Sequence, residues 1–298
     1  LSPSSLTRPI LEYFLDLPAL LKVLVVLIGW ALLWLPIAVP LAIRLRWQPQ
    51  KPIAPSQKLP LLLSLYLIAP LLLWGIAASE GKTFEVYGLP WATATLISLG
   101  KGTILGALGI ITMFAVQTAF GWVQWRFAAL SEQTALIEPT VVPPQPQFQA
   151  QSAIATLAVM LLLGLWVSLV EELVFRGFMM NELQPEYAPW LAAAIASLIF
   201  ALLHLIWEGR DNLSQLPGLW LMGMVLVLAQ WIEGGNLGLA WGLHAGWIWI
   251  MASLDATQAI TYPGQQPEWV TGPEGKPLAG VAGILFLLIT AVVLWGLQ

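Results

Sequence analysis

VEELVFRGFMMN, residues Val170 to Asn181, is the stretch around which the chain is organised. It follows a long apolar run from Ile154 and sets two carboxylates side by side, Glu171 and Glu172, with Arg176 four residues after the second. In lipid each such charge costs about 2.5–3.5 kcal/mol near a helix centre on the insertion scale, and intramembrane ionisable residues are functional by default. On a helix Glu172 and Arg176 stand at i,i+4 with the acid on the N-terminal side, the better orientation for a pair. Glu171 is turned about 100° from Glu172 at 3.6 residues per turn. The spacing therefore predicts that Glu172 and Arg176 hold each other while Glu171 remains free to work. The competing reading is an ion pair that locks two membrane helices together.

The rest of the composition agrees with a membrane setting. Of 298 residues 58% are hydrophobic and 9% charged, and the mean hydropathy is +0.80, the balance of a polytopic membrane protein rather than a soluble domain. Seventeen tryptophans fit a chain with membrane–water interfaces. The net charge of −4 and the lack of a basic run argue against a nucleic-acid partner. Cysteine is absent, which excludes a thiol nucleophile, disulfides and Cys-ligated metal.

Taken in order, residues 1–16 read as an amphipathic segment at the interface. The apolar stretch from Leu17 is long enough to span, against a cleavable signal peptide. Span one is expected over Leu17–Ile43, bent by Pro36 and Pro40. Arg44, Arg46, Lys51 and Lys58 then mark a cytoplasmic-side or stromal-side loop under the positive-inside rule. Span two is expected over Leu59–Ala78. Residues 91–100 read either as a short interfacial helix or as the start of span three, Gly102–Val123, in which Gly102 and Gly106 form a GxxxG face. Residues 124–150 read as a linker, since Pro139, Pro143, Pro144 and Pro146 forbid a continuous helix.

Five further spans are expected: Gln151–Leu183, Trp190–Trp207, Pro217–Ile232, Leu237–Leu254 and Leu278–Leu297. The fold class is thus all-α, a polytopic membrane helix bundle of about eight transmembrane helices. Two regions are expected: an N-terminal membrane region, 1–150, and a membrane core bearing the chemistry, 151–298.

Both histidines, His204 and His244, lie inside apolar spans. If spans four and five form a hairpin, Glu171 lies roughly 20 Å and His204 roughly 25 Å from the turn, at similar depth. His244 lies about 10 Å from that face; helix tilt could bring it level, but nothing in the sequence requires it. Gly238, Gly242 and Gly246 make a ridge on span seven that lets another helix approach while His244 faces a cavity. A carboxylate with two imidazoles in such a cavity suggests two chemistries. In one, Glu171 is general base to a water, one imidazole orients that water and the other steadies the oxyanion. In the other, Glu and His side chains bind zinc, which activates the water. Neither HExxH nor GxSxG is present.

EELVFRG, FALLH and GLHAGW together resemble the three motifs of the CPBP family, which comprises type II CAAX prenyl endopeptidases and the bacteriocin-processing or self-immunity proteins also called Abi proteins. The resemblance covers about residues 151–254. It implies an intramembrane endopeptidase of helix-bundle fold acting on a membrane protein or peptide substrate within the lipid bilayer. Glu171 with His204 would activate water, His244 would help stabilise the oxyanion, and Glu172, Arg176 and Phe200 would support them, with no cofactor. The chain departs from the family at Ile248, where Asn is common. Losing one oxyanion donor typically costs about 10²–10³ in rate.

That departure leaves a slow protease, a protease using another donor, or a protein that has kept the scaffold without the chemistry. In the last case the chain is a membrane scaffold or assembly factor binding another membrane protein. A zinc-dependent version of the protease is the third reading. The membrane is either a bacterial plasma membrane or a thylakoid.

Overall fold

The structure is a computed structural model that describes residues 13–48, 53–126, 153–264 and 266–297. The expected interfacial segment 1–16 and the Pro-rich linker fall largely or wholly outside these residues. The protein is an integral, multi-pass helical membrane bundle. Its long helices are α1 (Ala19–Arg44), α2 (Pro55–Ser79), α3 (Thr93–Ala119), α4, α5 (Pro189–Glu208), α6 (Leu216–Ile232), α7 (Gly238–Thr257) and α8 (Val281–Trp295). Helix α4 runs as Ala153–Glu172, is π-wound over Leu173–Met179 and ends in an α turn, Met180–Leu183.

Six of these are long and apolar enough to cross a membrane. Helix α8, at 15 residues, extends only about 22 Å at 1.5 Å per residue, short of a ~30 Å hydrocarbon core. Helix α7 carries Gly, Trp, His, Ser and Asp among its apolar residues and is largely enclosed by its neighbours. The count of eight spans is accordingly approximate. Residues 93–100 belong to α3, which begins at Thr93 and runs on without a break, so this stretch is the start of span three. A small antiparallel ladder, β1 (Gln124–Trp125) with β2 (Ile260–Thr261), ties the end of α3 to the end of α7.

The outer faces of α1, α3 and α8 expose leucine, isoleucine and valine, including Leu24, Ile28, Ile104, Leu108, Ile289 and Val292. In lipid such exposure carries no penalty, and helices associate through close packing and polar contacts instead. Both devices are present. The two glycine faces read from the sequence meet each other: a Cβ on Gly242 would lie 2.2 Å from the Leu99 carbonyl oxygen, and one on Gly106 would lie 2.5 Å from that of Leu243. Helices α3 and α7 therefore approach backbone to backbone. Gly164 permits a similar approach of α4, where an added Cβ would meet the Ala245 carbonyl oxygen at 3.0 Å.

Several tryptophans serve as polar links between helices. Trp241 Nε1 donates to the Leu165 carbonyl at 2.8 Å and Trp249 Nε1 to that of Leu157 at 2.9 Å, both from α7 to α4. Trp30 Nε1 donates to the Leu65 carbonyl at 2.9 Å, joining α1 to α2. At the end where α1 begins, the Ala19 N–H donates to Glu186 Oε1 at 2.8 Å, and Lys22 pairs with Glu182 at 3.4 Å.

Candidate active site

The polar centre lies where α4, α7 and α2 meet. Glu171 and Glu172 end the regular part of α4, and the π-wound segment follows at once. A π turn bonds i to i+5 and is frequent at functional sites. Every residue from Leu173 to Met179 is buried. Gly177 lets this segment press on Tyr87, whose Cβ and carbonyl oxygen would each lie 2.9 Å from an added Cβ. Gln230 of α6 donates its amide to the Arg176 carbonyl at 2.9 Å, giving that backbone oxygen a partner from another helix.

Glu172 is 0% exposed and Arg176 1%. Arg176 Nη1 donates to Glu172 Oε1 at 3.1 Å, and Nη2 donates to the Gly223 carbonyl at 3.3 Å. The guanidinium also lies over the Phe200 ring, 4.6 Å from its centroid. A charge this deep persists only when paired and hydrogen-bonded, and the arginine meets that condition through three elements.

His244, 3% exposed, reaches the same carboxylate. Its Nδ1 lies 2.8 Å from Glu172 Oε1, and its Nε2 lies 3.5 Å from Glu171 Oε2. The imidazole is thus held between the two neighbouring glutamates. This brings His244 level with the Glu pair, the offset of about 10 Å expected from residue counting being removed by the packing of α7 on α4. Both ring nitrogens face carboxylate oxygens, so the arrangement needs a proton on each nitrogen or on the carboxyl oxygen opposite it.

Glu171, 7% exposed, has a second partner that the sequence did not suggest: the Tyr66 hydroxyl of α2 donates to its Oε1. Glu171 is therefore held on both oxygens rather than left alone. Tyr66 is the one tyrosine of five that falls inside an apolar span, and that placement was the available signal.

His204 sits on α5 with Nδ1 2.8 Å from the Phe200 carbonyl, so the ring donates there and turns Nε2 away. Phe200 joins the cluster, its ring centroid 4.6 Å from that of His204 and 6.1 Å from that of His244. Among the described contacts, none links His204 to Glu171 directly.

Glu171, His204, His244 and Tyr66 line a cavity of about 590 Å³ whose wall is otherwise mainly apolar. Its size falls within the range of small-molecule and peptide-side-chain sites. Ile248, one turn after His244 on α7, also lines it. At one end lie Lys58 and Glu208, paired at 3.3 Å, with Trp34 edge-on to Trp207 at 5.8 Å between centroids. Among the described residues no three His, Cys, Asp or Glu side chains are arranged to hold a metal ion.

No curated protein and no solved structure matches the chain. One family model does, over residues 153–250, and it is described as type II CAAX prenyl endopeptidase Rce1-like. The matched segment contains Glu171, Glu172, Arg176, Phe200, His204, His244 and Ile248, and excludes Tyr66. Over those residues this multi-pass membrane chain is similar to the Rce1-like members of the CPBP family.

Proposed function

We propose that the protein is an intramembrane endopeptidase that hydrolyses a peptide bond with water activated by Glu171. The observation that carries this reading is a buried carboxylate, Glu171, facing an apolar cavity of about 590 Å³ with His244 at 3.5 Å and His204 on the same wall. Glu171 takes a proton from water as the water oxygen attacks the substrate carbonyl, and gives it to the amine nitrogen as the carbonyl re-forms and the C–N bond breaks. His204 Nε2 accepts a hydrogen bond from that water, its Nδ1 being engaged with the Phe200 carbonyl. His244 steadies the developing oxyanion. Glu172 and Arg176 fix His244 and anchor the turn of α4, while Phe200 packs against both imidazoles.

The family description points to a membrane-bound CAAX-type tail as substrate, and the apolar wall suits a lipid-modified or apolar segment entering from the bilayer of a bacterial plasma membrane or thylakoid. The full chain in proteoliposomes tests this with a quenched-fluorescent farnesylated CAAX peptide, its unprenylated counterpart and a pool of host membrane-protein peptides. Wild type is expected to cleave at least one of these. Glu171→Gln is expected to lose about 10²–10⁴ in rate, the span of general-base contributions. Equal cleavage by wild type and Glu171→Gln overturns the proposal.

One observation favours a second reading. Ile248 puts an aliphatic side chain on the cavity wall beside His244, which suits a groove that docks another membrane protein without cutting it. Absence of Glu171-dependent cleavage together with a stoichiometric copurifying membrane partner is the result that reading requires. A zinc-dependent protease would show cleavage abolished by chelation and restored by zinc.

A further inference from the structure

Hydrolysis by activated water needs a donor aimed at the oxygen that becomes negative, as well as a base. The donors around the cavity are few and most are engaged. Trp30 Nε1 gives its proton to the Leu65 carbonyl, and Trp34 Nε1 gives its proton to Ser64 Oγ. His204 Nδ1 is held by Phe200 and His244 Nδ1 by Glu172. Lys58 is paired with Glu208 at the exposed end. The indole nitrogen of Trp247 and the amide nitrogen of Asn212 have no acceptor but are both sealed from solvent-sized space. Ile248 has no donor at all. Beside His244 Nε2, which faces Glu171 Oε2 at 3.5 Å, the donor in contact with the proposed base is the Tyr66 hydroxyl, buried and on the cavity wall.

We propose that Tyr66 is a second oxyanion donor of this site beside His244, holding Glu171 in the resting protein and passing its hydrogen bond to the substrate oxygen as the tetrahedral intermediate forms. The inference rests on the hydrolase reading above. The water oxygen forms a bond to the carbonyl carbon, the carbonyl π pair moves onto its oxygen, and the water proton goes to Glu171. At that moment Glu171 becomes a neutral acid and a weaker acceptor, while the substrate oxygen becomes an anion. Hydrogen bonds to an ionised acceptor are roughly twice as strong as neutral ones, so the Tyr66 O–H changes acceptor and keeps its proton. The contact strengthens only as charge develops, which is the condition for lowering the barrier rather than merely binding substrate.

The tyrosine is fixed for this task. Its ring packs on Trp30 at 6.1 Å between centroids, and the Leu65 carbonyl beside it is held by the Trp30 indole. A donor supplied by α2 also offsets the aliphatic side chain at 248 on α7.

The experiment uses the full chain in proteoliposomes and the peptide that wild type cleaves in the assay above, with Glu171→Gln as the inactive control. Tyr66→Phe is expected to lower kcat by about 10²–10³, the cost of one oxyanion donor, with KM within about twofold. Adding Ile248→Asn to Tyr66→Phe is expected to recover at least about tenfold in kcat, because an amide one turn from His244 restores a donor on the cavity wall. A purely structural tyrosine gives a loss that Ile248→Asn does not repair.

The inference is overturned alone if wild type cleaves, Glu171→Gln does not, and Tyr66→Phe keeps its kcat or is not rescued. It falls together with the hydrolase reading if no Glu171-dependent cleavage occurs. Should Tyr66→Phe not fold, 3-fluorotyrosine at position 66 keeps the hydroxyl and makes it a stronger donor. A raised kcat then supports the inference, and an unchanged or lowered kcat overturns it.

Discussion

His244 Nδ1 donates to Glu172 Oε1 at 2.8 Å, and Arg176 Nη1 donates to the same oxygen at 3.1 Å. One carboxylate oxygen therefore joins α7 to the π-wound part of α4. Glu172 is the hub of the polar centre, and Glu171 beside it is the member turned toward the cavity.

That hub predicts strong coupling. Arg176→Met leaves Glu172 buried without its guanidinium and is expected to destabilise by about 3–5 kcal/mol, the usual result of removing one partner of a buried pair. The double variant Glu172→Met with Arg176→Met is expected to lose less than the sum of the single variants, because no orphan charge remains. Reversible unfolding in mixed micelles measures both, and additive losses contradict the assignment of the pair as one unit.

The contact of α3 with α7 makes a sharper steric prediction. Gly242→Val must displace the Leu99 carbonyl, which an added Cβ would meet at 2.2 Å, and should cost at least about 1–3 kcal/mol as overpacking does. Gly29→Val on α1 meets nothing within 4 Å and should stay within about 0.5 kcal/mol, as surface substitutions do. Thermal unfolding of the two purified variants in one detergent compares them directly.

Gln230→Leu removes the donor that α6 gives to the Arg176 carbonyl. Leaving such an oxygen buried and unpaired costs about 1–3 kcal/mol. Hydrogen exchange should show the loss as faster exchange over residues 173–179, with α1 unaffected. Uniform change along the chain would count against a local role.

Tyr87, outside the spanning helices, supplies a pH dependence. Burial, with Glu80 and Glu182 nearby, pushes its phenol well above the ordinary value of 10.0. The unfolded chain then releases this proton near pH 10 while the folded one keeps it. The stability it contributes is full below about pH 10 and is lost as pH rises toward the folded value. Tyr87→Phe is expected to flatten the alkaline loss of stability seen in wild type, with little change at pH 7. An unaltered alkaline limb in the variant would contradict it.

Much of the fold was legible because a membrane helix is a local object. About twenty apolar residues satisfy their own backbone hydrogen bonds and report their presence by hydropathy alone. The bounds expected for spans five and six, Trp190–Trp207 and Pro217–Ile232, differ by one or two residues from Pro189–Glu208 and Leu216–Ile232. Glu171, Glu172, Arg176, His204 and His244 stood out because ionisable groups are rare and costly inside such runs.

What the sequence by itself determined, then, was the membrane class, the positions of the long helices, and the residues carrying charge or imidazole within them. Only the tertiary structure decided their relations. Packing brought His244 level with the Glu pair, put Tyr66 from a helix more than a hundred residues away onto Glu171, and matched Gly102 and Gly106 with Gly242 and Gly246. It also left His204 bonded to Phe200 instead of to Glu171. The physical reason is that hydropathy fixes depth and length but not the rotation, tilt or neighbour of a helix in lipid. Those are set by side-chain packing and interhelical hydrogen bonds between distant residues.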